Sequence, residues 1–142
     1  MTFRFSLDPV LRVREHKEKQ QKQKLAREMK RRQNLADQKK DIAAELESFL
    51  GQKDIHKVHD IRKLRNSYAH LEHAHNVMGK LDRDMKKADK AISRERDKLI
   101  VAHREMHIME KVRDREYTIY KTEMERADQK AMDEIATHSF NR

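Results

Sequence analysis

Positions spaced alternately four and three apart run from Leu7 through Leu11, Arg14, Glu18, Gln21, Leu25, Glu28, Arg32, Leu35, Lys39, Ile42 and Leu46 to Phe49. Seven of these thirteen are apolar, and they cluster at the two ends. This is a heptad seam with a polar middle. Asp8 can cap its start, and Pro9 suits the first helical position, where a missing N–H costs nothing. A helix is predicted over about 8–50. A turn over about 51–59 follows, holding Gly51 and "QKDIHKVHD", whose apolar residues fit no seam.

A second helix is predicted over about 60–138. Its series reads Ile61, Leu64, Tyr68, Leu71, His75 and Met78. It resets by three residues at Leu81, beside Gly79, and then runs through Met85, Ala88, Ile92, Glu95, Leu99, Ala102, Met106 and Met109. Such a reset overwinds a coil locally. The alternative is that Gly79 is a turn and the chain has three helices.

Folding the chain back near Ile55 pairs Phe49 with Ile61, Leu46 with Leu64, Ile42 with Tyr68, Leu25 with Met85 and Leu11 with Leu99. Apolar residues meet apolar residues, so the expected fold is all-α, an elongated two-helix antiparallel coiled-coil hairpin. At 1.5 Å per residue the helices measure about 65 and 120 Å. The second therefore overhangs from Arg104 onward. The overhang carries Met106, Ile108, Met109, Val112, Tyr117, Ile119, Tyr120, Met124, Met132, Ile135 and Phe140. An apolar stripe without a partner in the same chain needs another surface or frays.

Composition supports long helices. The chain has 142 residues, one domain by length, with 42% charged residues, two glycines, one proline and no cysteine. A compact core needs more large apolar side chains, and disorder would show no period. Without cysteine there is neither a disulfide framework nor a thiolate metal site. No apolar run approaches the ~20 residues that cross a membrane, and the start lacks the pattern of a signal peptide. The expected location is cytoplasmic. Of the net charge of +9, the stretch Leu11–Arg32 supplies ten Lys and Arg against three Glu. It could meet an acidic protein, a phosphate backbone or anionic lipid.

No catalytic arrangement is present in the sequence: there is no phosphate loop and no cysteine nucleophile, and carboxylates on a two-helix rod are solvated. The chain is expected not to be an enzyme and to need no cofactor. His70 with His73, and His103 with His107, have the spacing of metal chelates on one helix face. No third ligand accompanies either pair, so solvated histidines are expected instead. His75 on the seam could add pH sensitivity. Nucleic-acid binding is disfavoured, because aromatics are not interleaved with the basic stretch and the seams fold back on each other.

Both ends carry a resemblance. "FRFSLDPVLRVRE" is similar to the opening of the flagellar export protein family FliJ, through Phe3, Phe5, Leu7, Val10, Leu11, Arg14 and Glu15. "MERADQKAMDEIATHSF" is similar to its close, through Glu125, Arg126, Gln129, Lys130, Asp133, Glu134, Ile135 and Ala136. The resemblance implies a cytoplasmic component of the type III flagellar export apparatus, stationed at the inner face of the membrane. Its fold would be similar to the central stalk of rotary ATPases. The end with both termini would enter the hexameric export ATPase, promote its assembly and couple it to the membrane export gate. The protein would also handle export chaperones. On this basis Phe3, Phe5, Met124, Arg126, Ala127 and Lys130 are candidate contacts to the ATPase ring. Ile42, Leu46, Phe49, Tyr68 and Leu71 are candidate contacts to the gate. Leu7 and Leu11 close the hairpin, with Phe3 and Phe5 outside the fold. The alternative is a structural coiled-coil rod that associates with itself.

Overall fold

The computed structural model describes residues 2–52 and 60–140. The chain is all-α, with helix α1 over Asp8–Gln52 and helix α2 over Ile61–Phe140, paired as a two-helix hairpin. Two units form. One combines the chain up to Gln21 with the chain from Leu99, and the other is Lys22–Lys98.

The start of α1 is set by backbone rather than by Asp8. The Leu11 N–H donates to the Leu7 carbonyl at 3.0 Å, so Leu7 is the capping residue and is exposed, not part of the seam. The Asp8 carboxylate instead meets Arg12 at 2.8 Å inside the first turn, where negative charge suits the helix dipole. α1 continues through Gly51 to Gln52, so these two residues are helical and not part of the expected turn; its remaining residues, with Ile55, His56 and His59, lie outside the described ones. α2 has a true side-chain cap that the sequence reading missed. Asp60 accepts from the Arg62 N–H at 2.9 Å, and its carbonyl accepts from Leu64.

In Lys22–Lys98 the helices run antiparallel. Arg32 meets Asp89 at 3.1 Å, Lys39 meets Asp82 at 2.6 Å, and the Phe49 ring lies 4.5 Å from that of His70. The expected pairing of Phe49 with Ile61 is corrected by about nine residues, and those of Leu46 with Leu64, Ile42 with Tyr68 and Leu25 with Met85 fall with it. The seam of α1 is as expected: Leu25, Glu28, Arg32, Leu35, Lys39, Ile42, Leu46 and Phe49 are all partly buried. The seam of α2 is not. Ser67 and Ala74 are buried where Tyr68 and His75 were expected, and both of those are exposed. With this change the series Leu64, Ser67, Leu71, Ala74, Met78, Leu81 alternates without a reset. Ser67 is tolerated because its hydroxyl donates to the Lys63 carbonyl at 2.8 Å.

Gly79 therefore marks neither a reset nor a turn. It lies within α2, and an added Cβ there would meet nothing within 4 Å. The polar seam residues also have a place. Asp89 directly follows buried Ala88, and Asp82 directly follows buried Leu81. The long stems of Arg32 and Lys39 thus cross the seam over apolar residues and carry their charges to its edge.

Candidate protein-interaction surfaces

In the unit containing the termini, α1 and α2 again run antiparallel. Leu11 is buried against Met109, Arg14 meets Glu105 at 3.5 Å, and buried Glu18 meets His103 Nδ1 at 3.3 Å. Leu11 was expected against Leu99, ten residues earlier. The non-helical segment before α1 then extends the covering along α2. Phe5 is only 7% exposed and joins Leu11 and Met109 in one cluster, with Phe3, Met106 and Val112 packed against it. The Phe3 ring meets Tyr117 edge-on at 5.3 Å and Tyr120 at 5.5 Å.

Two expectations change as a result. Phe3 and Phe5 lie within the fold, not outside it. The bare part of α2 does not begin at Arg104, since Met106, Met109, Val112, Tyr117 and Tyr120 are occupied by this packing. Every residue over Glu125–Phe140 is exposed, including Met132, Ile135 at 70% and Phe140 at 92%. Met124 is partly buried at the root of this arm. Arg126, Ala127 and Lys130 project from it, and neither cation makes an ion pair among the described residues. The neighbours Lys121–Glu125 and Gln129–Asp133 are tied along the helix at 4.0 and 3.0 Å. The last turns carry a shallow groove between Ala131, Glu134, Ile135, His138 and Ser139.

The candidate gate residues lie in Lys22–Lys98. Ile42 and Leu46 share a hollow with Glu45, His70, His73, Ala74 and Val77. The Phe49 ring lies tilted against His70 at its edge. Leu71 is partly buried in the seam, whereas Tyr68 is 63% exposed. The structure thus gathers Ile42, Leu46 and Phe49 around His70 and leaves Tyr68 apart from that hollow.

The histidine pairs meet side chains already in place. The rings of His103 and His107 stack at 6.2 Å, and His107 faces Glu110 at 3.5 Å as His103 faces Glu18. Among the described residues no group of three or more His, Asp or Glu is arranged to hold a metal ion. No helix among them is long and apolar enough to cross a membrane.

Residues 3–142 match the protein-family model described as Flagellar FliJ protein, essentially the whole chain. No curated protein and no solved structure matches it.

Proposed function

Because the chain belongs to the flagellar FliJ protein family and is thus a component of the flagellar export apparatus, we propose that it serves there as a non-enzymatic stalk. In this reading the exposed arm of α2 enters the central hole of the hexameric export ATPase and promotes its assembly and activity. The unit Lys22–Lys98, through Ile42, Leu46, Phe49, Tyr68 and Leu71, meets the cytoplasmic part of the membrane export gate. The protein would work in the cytoplasm, peripheral to the inner face of the membrane, and also handle export chaperones.

The observation that carries the reading is the uncovered helix over Glu125–Phe140, which has no packing partner among the described residues. Met124 and Ala127 offer small apolar contacts, and Arg126 and Lys130 stand one turn apart with their charges free to meet acidic groups. Phe3 supports this arm from within the fold by fixing its root at Tyr117 and Tyr120, and Phe5 does so one step back, at Met109. A ring contact built on two cations should weaken with salt.

The test is ATP turnover by the purified export ATPase with this protein added. Wild type should stimulate it, and Arg126→Glu with Lys130→Glu should abolish stimulation without changing helicity. Equal stimulation by both would remove the ring contact from these residues. A second reading, self-association through exposed Met132, Ile135 and Phe140, predicts a stable dimer in sedimentation and no stimulation.

A further inference from the structure

The two flanks of the seam in Lys22–Lys98 differ in charge. One flank is marked by a groove between Met29, Gln33, Ser93 and Arg96, beside the Arg32–Asp89 ion pair. Its charges are mixed, and Asp82 and Asp89 are satisfied across the seam. The other flank is marked by Glu45 of α1 facing His70, His73 and Val77 of α2.

Heptad steps carry that second flank along both helices. From Glu45 it passes Gln38 to Arg31 and Lys24, with Arg27 between them on the outer side. From His73 it passes Lys80 to Lys87 and Arg94, and from Val77 it passes Asp84 and Ala91 to Lys98. Over 24–31 and 84–98 the flank thus holds six cations, with Ala91 and Asp84 at its other positions. All six are exposed, and apart from Lys98, which meets Glu95 at 3.1 Å, none makes an ion pair among the described residues.

We propose that this flank is an electrostatic docking surface for an anionic lipid bilayer. Three features favour a bilayer. The cations lie side by side on two adjacent helices and form a strip, not a pocket, which matches a broad surface of headgroups. No large apolar residue is exposed among them, so the strip lacks the apolar core around which protein interfaces form. No aromatic side chain is interleaved, so it also lacks a stacking platform for nucleic-acid bases. Basic residues near an anionic leaflet each add to attraction without any insertion, and the effect fades within a Debye length. The inference does not depend on the ring contact, which belongs to the other unit.

The experiment is co-sedimentation of the full chain with vesicles of neutral phosphatidylcholine, with or without a large share of phosphatidylglycerol. Wild type should bind only the anionic vesicles and be released by added salt. Arg27→Glu, Lys87→Glu and Arg94→Glu together should weaken binding by at least about tenfold. Lys86→Glu, Lys90→Glu and Arg96→Glu together change net charge equally but lie off the strip, and should weaken it only about two- to threefold. Circular dichroism checks that both variants stay helical. Equal losses in the two variants would overturn the assignment to this flank. Failure to bind anionic vesicles would overturn the proposal, as would binding of a DNA duplex or polyglutamate through the same residues with none to lipid.

Discussion

Glu28→Leu should stabilise the protein. Glu28 occupies the seam of α1, in a register that places it across from buried Ile92, and its Oε2 is buried without a hydrogen-bond partner. An unsatisfied buried acceptor costs about 1–3 kcal/mol, and a partly buried leucine returns roughly another 1 kcal/mol of apolar burial. Leu and Glu have similar helix propensities, so the backbone contributes little. A gain of about 2–4 kcal/mol corresponds to roughly 7–13 °C in Tm for a chain of this size. Glu18→Leu is the contrast. Glu18 is more deeply buried, but its carboxylate is partnered by His103, whose side chain is 59% exposed and stays in water when the carboxylate is replaced, so stability should stay nearly unchanged. The assay is thermal and urea unfolding followed by circular dichroism at 222 nm. A destabilised Glu28→Leu, or equal shifts in both variants, would refute the argument that satisfaction of the carboxylate decides the outcome rather than depth.

Gly79→Ala should raise stability by about 1 kcal/mol, since the site is mid-helix and open to a methyl group; a loss in urea unfolding would contradict an uninterrupted α2. Phe5→Ala should cost about 3–5 kcal/mol of local packing and release the segment before α1. Faster amide exchange around Leu7–Leu11 would register that release, and unchanged exchange would exclude the Phe5 cluster as its anchor.

Much of this arrangement was legible in the sequence. The seam of α1 could be read from Leu11 onward, including its polar members, because large or long side chains recur at an unbroken spacing. In α2 the reading went astray at Ser67 and Ala74. Small residues give a weak burial signal, and the neighbouring Tyr68 and His75 drew the series onto the wrong stripe until a false reset restored it. The register failed for a related reason. Matching apolar to apolar ignores the charges, yet the register in which the two helices meet is the one that brings Arg32 to Asp89 and Lys39 to Asp82. Gly51 invited an early turn, although α1 runs through it. Phe3 and Phe5 sit on a segment without period, so nothing local indicated that they fold back onto Met109, Tyr117 and Tyr120. The resemblance at the two ends needed no geometry, and it covered the family but not the contacts.

The two ion pairs of Lys22–Lys98 have a consequence for slippage. They stand one heptad apart on both helices, so together they work like the two marks of a vernier scale. Sliding α1 by seven residues in one direction sets Lys39 against Asp89 but brings Arg32 to Arg96. Sliding it in the other direction sets Arg32 against Asp82 and leaves Lys39 beside His75. Either displacement keeps one favourable meeting and loses the other, and one of them adds a repulsion. A seam of aliphatic residues alone would accept these displaced states at almost equal energy. Charges that look like defects in a hydrophobic stripe thus act as its indexing marks, and they let two long helices find one alignment among several of nearly the same burial.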